Sequence, residues 1–257
     1  MLTTKIFTFW LGPMPAYIRM CLQTFSKSGY DWVLLDHSNM NEFIPRDELP
    51  VERLMAFPPA AQGDIVAVYM MNRYRGYFID ADTVFFGSIR YLEELLDSHE
   101  LVMVGDENVP FCHAAFILGR GDSLILREWK KRIDELLAVF ENPGTLGFDG
   151  MYSGGVKPTS FGNPLLAPLI RKWTDRVKIL DKDVFLPENL GLVDVSPEGR
   201  KRAYVEYYFS ENSQKKPNTH FLVLHNSWTP DWYKLFRTED IQKDGCFLSR
   251  LLAQAIR

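Results

Sequence analysis

The sequence has little cysteine, no long hydrophobic run and no excess of basic residues. Its three cysteines, Cys21, Cys112 and Cys246, lie far apart without metal-type spacing, which indicates a reducing compartment. No apolar run approaches the length of a membrane span, and the segment after Met1 continues into a strand-like pattern with no secretory signal. The formal net charge of -4 argues against general nucleic-acid binding, which needs a dominant basic surface. We therefore expect a cytoplasmic protein that does not bind nucleic acid.

The composition and the order of hydrophobic patterns predict an α/β fold. The chain has 257 residues, of which 46% are hydrophobic and 24% are charged, as in a folded domain. Strand-like and helix-like patterns alternate along it, which favours an open, mostly parallel sheet flanked by helices. The predicted strands cover 5–10, 30–35, 77–79, 101–104, 116–118, 177–180 and 221–224, and the predicted helices cover 15–28, 60–74, 123–140, 164–173 and 238–257.

Residues 77–82 form an apolar run that ends in two carboxylates, Asp80 and Asp82. Because alternate side chains of a strand face the same side, we expect both to project together from the C-terminal end of this strand. Adjacent carboxylates repel each other and lose hydration when buried, so the pair would need a cation between them. Oxygen ligands favour Mg²⁺ or Mn²⁺, which keep open positions for phosphate oxygens. The alternative for an isolated pair is an acidic, solvated turn.

Two other segments follow predicted strands in the same way. Residues 10–12 come after the first strand, and residues 225–228, with the sequence HNSW, come after the last one. Ligands of open α/β sheets bind at the carboxyl ends of strands, near the point where the strand order reverses. Asp64, sixteen residues before Asp80, lies on the helix that leads into the D-x-D strand. These segments are therefore candidates for one ligand site.

Taken together, these motifs resemble those of glycosyltransferases whose sugar-binding region carries a D-x-D motif. The resemblance is to glycosyltransferase family 32, of the capsular and surface-polysaccharide type, and more distantly to the glucosylating bacterial toxins. The family signature has an Asp in a helix, then Tyr, Gly-Gly, an aromatic residue and D-x-D. Here it is GDIVAVY over 63–69 and RGYFIDAD over 75–82, and the resemblance extends over 60–87.

The resemblance implies a GT-A type glycosyltransferase fold, Rossmann-like, as a single domain over 1–257. Its nucleotide-sugar-binding half would cover 1–120 and its acceptor-side half 121–237, followed by a C-terminal amphipathic helix over 238–257. The implied activity is a retaining, metal-dependent transfer of a hexose from a nucleotide sugar. A UDP-sugar fits this motif set best, and a GDP-mannose donor stays open. The acceptor would be a glycan or a lipid-linked oligosaccharide in surface-polysaccharide synthesis.

The same resemblance gives the three acidic residues a role in catalysis. Asp82 would be the main metal ligand, Asp80 would bridge the ribose and the metal, and Asp64 would bind hydroxyls of the donor sugar or ribose. A cation at this place would neutralise the charge that builds on the leaving diphosphate. We name no nucleophile, because in retaining transfer a donor phosphate oxygen can take the proton of the acceptor hydroxyl.

The resemblance also implies residues that bind the donor. Trp10, with Phe9, would form the wall on which the base stacks, since a flat indole can stack on a pyrimidine. His225 or Asn226 would complete the shell of the Mn²⁺ or Mg²⁺ ion, and Trp228 would cover the diphosphate. The plainer alternatives are a core position for Trp10 and an ordinary strand-end histidine at 225.

The chain departs from the family pattern at two positions. The family has an Arg three residues after the helix Asp, where this chain has Ala67, and the first Gly of its Gly-Gly is Arg75 here. Arg73 or Arg75 could supply the missing charge from a neighbouring turn. Asp149, in the Gly-rich segment 142–163, is a candidate on the acceptor side, and that segment could close over the donor. We expect a structural role for His113.

Two other functions compete with this one. FIDADT over 78–83 also fits the first motif of haloacid-dehalogenase-type phosphatases, in which the first Asp is a nucleophile and Mg²⁺ is required. That motif normally opens its domain, whereas 79 residues precede Asp80, and the nearest later pair of acidic residues is Asp181 and Asp183. A non-catalytic nucleotide-sugar-binding protein of the same fold is the second alternative, supported by Ala67 alone.

A peripheral membrane contact is a further expectation to test. The C-terminal segment is amphipathic, and basic residues cluster over 200–202 and 215–216, so these parts could rest on an anionic membrane surface at the cytoplasmic side. The plainer expectation is a helix packed on the core and solvated lysines.

Overall fold

The protein folds into two units, each assembled from three segments of the chain. The computed structural model describes residues 4–106, 111–141, 161–181, 185, 196–216 and 219–257. The first unit comprises Met1–Leu11, Val33–Ile79 and Leu92–Leu180, and the second unit comprises Gly12–Trp32, Asp80–Tyr91 and Asp181–Arg257.

The apolar runs of the first unit form a six-stranded sheet. In the order in which they pair, its strands are β2 (Asp31–Leu35), β1 (Lys5–Phe9), β3 (Gly76–Ile79), β6 (Phe111–Gly119), β5 (Leu101–Asp106) and β7 (Val177–Asp181). Strands β1 and β3 are parallel, whereas β6 is antiparallel to both of its neighbours, β3 and β5. Every residue of β3 is buried, as a continuous apolar run in an inner strand predicts.

Within the described residues, four α-helices belong to the first unit: α2 (Val51–Leu54), α3 (Pro59–Arg73), α4 (Leu124–Glu141) and α5 (Asn163–Lys172). Helix α3 begins with Pro59, whose fixed φ suits the first helical turn, and it packs against β1, β3 and β6. Helix α5 also contacts β6, and α4 packs on α3 and α5. The indole of Trp129 on α4 is fully buried and donates to the Phe161 carbonyl at 2.8 Å. The prediction of an α/β fold with a sheet flanked by helices is confirmed.

The second unit has a small sheet surrounded by helices. Its strands, β4 (Thr83–Phe85) and β8 (Phe221–Val223), pair antiparallel. The helices that the structure describes in full in this unit are α1 (Ala16–Thr24), α6 (Pro197–Tyr208), α7 (Asp231–Lys234), α8 (Thr238–Lys243) and α9 (Phe247–Ala255). Helix α1 packs against β4 and α9, and α9 also contacts α6 and α8.

The C-terminal segment is helical as predicted, but it forms two helices where the sequence predicts one. Between α8 and α9 the Asp244 carboxylate accepts hydrogen bonds from the Cys246 backbone N–H, at 3.1 Å, and from the Ser249 hydroxyl, at 2.8 Å. The bond from the Cys246 N–H satisfies a backbone donor at the start of α9, where no helical carbonyl is available to it, so a new helix begins there.

The apolar face of α9 is buried in the second unit, at Phe247, Leu248, Leu251 and Leu252. The face that could have met a membrane is therefore part of a core. Among the described helices, none combines the length and the apolar content that a bilayer crossing requires.

Candidate active site

The two carboxylates of the D-x-D motif lie in a turn that joins β3 to β4. Strand β3 ends at Ile79, and the Thr83 backbone N–H donates to the Asp80 carbonyl at 3.1 Å, which closes the turn. The expectation that both side chains project from the same face of one strand is therefore wrong, because the extended backbone stops before Asp80. Asp82 is 7% exposed, whereas Asp80 is only partly buried.

The pairing of β4 with β8 brings Asp82 beside residues that lie far away in the sequence. Thr83 faces Val223 in the register, and the Leu224 backbone N–H continues the ladder to the Asp82 carbonyl at 3.1 Å. The next donor along this strand, the Asn226 backbone N–H, reaches Oδ2 of Asp82 at 2.7 Å. Burial raises the pKa of Asp82 to about 6, although the bond from Asn226 and the nearby His225 imidazole favour the charged form.

Residues 225–228 form a turn that is stabilised by hydrogen bonds to its first residue. The His225 carbonyl accepts from the backbone N–H groups of Trp228, at 2.9 Å, and Thr229, at 3.0 Å. The Thr229 hydroxyl shares a 2.9 Å hydrogen bond with the hydroxyl of Tyr204 on α6. The His225 and Trp228 rings lie 4.0 Å apart between centroids, and both pack against the Tyr204 ring. The predicted residues His225 and Trp228 therefore belong to one aromatic cluster.

Sequence reasoning missed Tyr17, which holds Asn226 from the other side. The Tyr17 hydroxyl donates to Oδ1 of Asn226, and its fully buried ring packs on that of Tyr233. Burial, and then the negative charge of Asp82, hold the pKa of Tyr17 well above its usual range, so this hydroxyl keeps its proton. Both the side chain and the backbone N–H of Asn226 are thus used in fixing the turn. No sequence pattern distinguishes Tyr17 from an ordinary core residue of α1.

The described residues contain no group of three or more His, Cys, Asp or Glu side chains arranged to hold a metal ion. The predicted metal ligands Asp82, His225 and Asn226 nevertheless share one part of the second unit, with Asp80 on the adjoining turn. The Asn226 backbone N–H engages Oδ2 of Asp82, so coordination positions remain on that carboxylate.

The predicted residues Asp64, Phe9 and Trp10 belong to the first unit. Asp64 lies on α3, and an ideal Cβ built on Gly162 would stand only 2.6 Å from its Oδ2. Burial raises the pKa of Asp64 to about 7. Among the described residues, no hydrogen bond or ion pair reaches this carboxylate, so it is held close to backbone without a partner that would offset its charge.

Phe9 and Trp10 end β1, but they differ in their surroundings. Phe9 is 8% exposed and belongs to the main core of the first unit. Trp10 is partly buried, and its backbone N–H donates to the Leu35 carbonyl at the end of β2, at 3.0 Å. Its indole Nε1 is buried and has no hydrogen-bond partner within the described part of the chain. His37, whose ring lies 6.3 Å from that of Phe9, and Gln62 complete this region and were not predicted.

The arginines that could replace the missing family charge lie at the other end of β3. Arg73 ends α3 and forms an ion pair with Glu48 at 2.7 Å. Arg75 immediately precedes β3, whereas Asp80 immediately follows it. Ala67 is buried on α3. Strand β3 therefore separates either arginine from the D-x-D turn.

The structure describes His113 but not Asp149, the two remaining residues that the sequence analysis singled out. His113 lies on β6, and its Nδ1 accepts from the Ala115 backbone N–H at 3.3 Å, which agrees with the expected structural role. Asp149 lies outside the described residues, as does most of the Gly-rich segment around it; Phe161, Gly162 and Asn163 are described.

No family model matches the chain, and no curated protein matches it. Among the solved structures that resemble it are an apo form and a further structure of glycosyltransferase GlyE from Streptococcus pneumoniae TIGR4, with TM-scores of 0.44 and 0.43 at 10% and 12% identity. The match covers 98% of this chain, which spans 62% of the length of each GlyE chain. A likeness of this size carries no argument about substrate or mechanism.

Proposed function

We propose that this protein is a metal-dependent, retaining glycosyltransferase of the GT-A type that transfers a hexose from a UDP-sugar to a glycan or lipid-linked glycan. The observation that carries the proposal is the buried carboxylate of Asp82, fixed at the β4–β8 junction by the Asn226 backbone N–H. The motif that contains Asp82 is the one that resembles family 32. Surface-polysaccharide synthesis on the cytoplasmic side of a membrane belongs to the same proposal.

The residues present fit a hard divalent cation. Asp82 is a desolvated carboxylate whose pKa burial raises to about 6, and a cation beside it would favour the charged form and so offset that shift. Mg²⁺ and Mn²⁺ commonly use one or two carboxylates, with substrate phosphates and water completing the shell. Asp80 and Asp82, with His225, would hold such an ion, which would stabilise the negative charge of the departing diphosphate.

The chain's own residues would bind and orient the donor around that charge. Trp228 packs on His225 and Tyr204, which fixes its indole beside the turn where it would cover the diphosphate. Asp64, whose carboxylate has no partner in the described part of the chain, would accept hydrogen bonds from donor hydroxyls. Phe9 and Trp10 would form the base-binding wall.

Retention follows if the acceptor attacks the face that the leaving group departs from. The bond between the anomeric carbon and the diphosphate breaks, a bond from the acceptor oxygen forms, and a phosphate oxygen of the donor takes the hydroxyl proton. This route needs no enzyme nucleophile. Exclusion of water by the bound donor would favour transfer over hydrolysis.

The phosphatase alternative has less support. It needs a second acidic pair close to Asp80, and its nearest imitation begins at Asp181, at the end of β7. Two strands, β6 and β5, lie between β3 and β7 in the sheet, so the ends of β3 and β7 are at least about 14 Å apart at the usual strand spacing. Carboxylates that far apart do not share one Mg²⁺. Release of phosphate from simple phosphoesters, without turnover of any nucleotide sugar, would favour this alternative.

A thermal-shift panel of nucleotide sugars, with and without Mn²⁺, tests the proposal. We expect UDP-sugars to stabilise the protein only with metal, and Asp82→Asn to lose that effect. Asp231→Asn is the matched control, because the Asp231 side chain is 97% exposed in the same unit. If no nucleotide stabilises the protein with metal and Asp82→Asn binds Mn²⁺ like wild type, the proposal is wrong. Donor hydrolysis with Mn²⁺ separates an enzyme from a non-catalytic binding protein.

A further inference from the structure

His37 lies in a hydrogen-bonded turn of the first unit, two residues after the end of β2. The Asp36 backbone N–H donates to Oδ1 of Asn39 at 2.9 Å, and Nδ2 of Asn39 donates to the Leu34 carbonyl at 2.8 Å. The end of β1 lies beside this turn, because the Trp10 backbone N–H reaches the Leu35 carbonyl. The turn therefore presents His37 next to the predicted base-binding residues in a fixed position.

The orientation of Gln62 is determined by its surroundings. Gln62 is 4% exposed, and its Nε2 donates to the Phe57 carbonyl at 2.7 Å. A carbonyl oxygen only accepts hydrogen bonds, so the reverse orientation would bury two oxygen atoms against each other. Oε1 of Gln62 must therefore be the atom that faces His37.

This orientation fixes the tautomer of the His37 ring. Nε2 of His37 lies 2.6 Å from Oε1 of Gln62, an atom that can only accept. Nε2 must then carry the hydrogen, and in the neutral ring Nδ1 is left with a lone pair and no hydrogen. Among the described residues, no hydrogen bond reaches this Nδ1. The first unit thus holds a fixed hydrogen-bond acceptor at the strand end where the base is expected.

We infer that Nδ1 of His37 selects the nucleobase of the donor by accepting a ring N–H. Uracil carries N3–H on its Watson–Crick edge and donates to such an acceptor. Cytosine at N3 and adenine at N1 carry lone pairs at the corresponding place, so they leave His37 unpaired and are rejected. This inference rests on the proposed function, since it concerns the base of the same donor.

A purely structural role of the His37–Gln62 bond would affect stability but not the choice of base. We therefore measure binding of UDP, GDP, CDP and ADP with Mn²⁺, for wild type and for His37→Phe, by calorimetry. Wild type should bind UDP at least about 10-fold more tightly than CDP, the effect of one hydrogen bond with its desolvation cost. In His37→Phe the ratio should fall to about 2-fold or less. GDP, whose N1 carries a hydrogen, should depend on His37 as UDP does, and ADP should behave as CDP does.

His99→Phe is the matched control. His99 is also partly buried in the first unit, and its Nδ1 contacts the Leu95 carbonyl and the Ser98 hydroxyl. This variant should retain the wild-type ratio of UDP to CDP. Equal binding of UDP and CDP by wild type, or a ratio that survives in folded His37→Phe, overturns the inference and leaves the proposed function intact. Absence of binding by every nucleotide overturns both.

Wild-type protein provides a second test that does not depend on the folding of a variant. Long-range ¹H–¹⁵N spectra of the five histidines report which ring nitrogen carries hydrogen. We expect hydrogen on Nε2 of His37 in the free protein and a shift of its Nδ1 resonance on addition of UDP but not of CDP. Hydrogen on Nδ1 in the neutral ring, or an Nδ1 resonance that UDP leaves unchanged, contradicts the inference.

Discussion

The Asn226 backbone N–H donates a 2.7 Å hydrogen bond to Oδ2 of Asp82, and these two residues lie 144 positions apart in the sequence. The bond depends on the register of β4 with β8, which places Asn226 beside Asp82. The Tyr17 hydroxyl holds Asn226 in this position by donating to its side chain. A carboxylate in a candidate metal site is thus oriented by groups that would not touch the metal. Loss of such an outer partner commonly lowers metal affinity by about 10–100-fold.

Tyr17→Phe tests the contribution of this arrangement. The substitution keeps the ring that packs on Tyr233 and removes only the hydroxyl that donates to Asn226. We expect a loss of about 1–2 kcal/mol in the free energy of unfolding, since a partly buried amide oxygen loses its donor. We also expect Mn²⁺ affinity to weaken on the order of 10-fold. Urea unfolding and metal titration measure the two effects.

Tyr207→Phe is the control for that variant, because the Tyr207 hydroxyl donates to the Gln214 carbonyl at an exposed site of the same unit. It should change stability by less than about 0.5 kcal/mol. A double-mutant cycle with Asn226→Ala isolates the pair. If the effects of Tyr17→Phe and Asn226→Ala simply add, the hydroxyl does not act through Asn226.

The buried face of α9 predicts the behaviour of the protein with membranes. Its apolar residues are in the core of the second unit, so no amphipathic face of that helix is left to enter a bilayer. We expect no co-sedimentation with anionic vesicles at low salt. Neutral vesicles serve as the control for trapping in the pellet. Binding that requires anionic lipid and disappears at high salt would show that the basic residues over 200–202 or 215–216 act without this helix.

The pKa of Asp64 predicts a pH-dependent stability. Burial raises this pKa from its usual value of 3.8 to about 7, so the folded protein binds this proton more tightly than the unfolded chain does. Stability from this group is therefore present at low pH and is lost as the pH rises from about 4 through 7. Asp64→Asn keeps the shape and removes the charge. The variant should equal wild type near pH 4 and exceed it by roughly 1–4 kcal/mol at pH 8.

Urea unfolding of both proteins across this pH range measures the difference. Asp97→Asn is the control, because Asp97 is exposed in the same unit and its carboxylate stays hydrated in the folded state. A constant difference between wild type and Asp64→Asn from pH 4 to 8 would mean that the carboxylate is not desolvated. If donor hydroxyls bind Asp64, addition of a nucleotide sugar with Mn²⁺ should reduce the difference in unfolding free energy between Asp64→Asn and wild type at pH 8.

The sequence is sufficient to predict the elements that depend on local pattern, such as β3 and α4, because a continuous apolar run and a strong helical period each determine one structure. It is insufficient for Asp82 and Asn226, because their contact depends on two three-residue strands whose pairing leaves no local signal. Extending the strand pattern through Asp80 and Asp82 also failed, because a turn closes at Thr83. The sequence also does not reveal the roles of His37 and Gln62. The donor and acceptor of their hydrogen bond are determined by the Phe57 carbonyl, whose position beside Gln62 is known only from the structure.

Gly162→Ala tests how closely the backbone holds Asp64. The φ of Gly162 is -85°, outside the left-handed region that favours glycine, so the expected strain comes from contact. An ideal Cβ would lie 2.6 Å from Oδ2 of Asp64, closer than such atoms approach. We expect a loss of roughly 1–3 kcal/mol in the free energy of unfolding, as in other overpacked sites. In an Asp64→Ala background the same substitution should cost less than about 0.5 kcal/mol, because the clashing carboxylate is gone.

Gly63→Ala is the matched control on α3. A Cβ there would meet Cδ1 of Phe9 at 3.8 Å, an ordinary contact, and alanine favours a helix interior over glycine. This variant should therefore gain about 0.5–1 kcal/mol, opposite in sign to Gly162→Ala. If Gly162→Ala is tolerated in wild type, the Asp64 side chain has room to turn away. The Asp64 carboxylate would then not be held in place to receive donor hydroxyls. Its proposed role in binding the donor would be wrong.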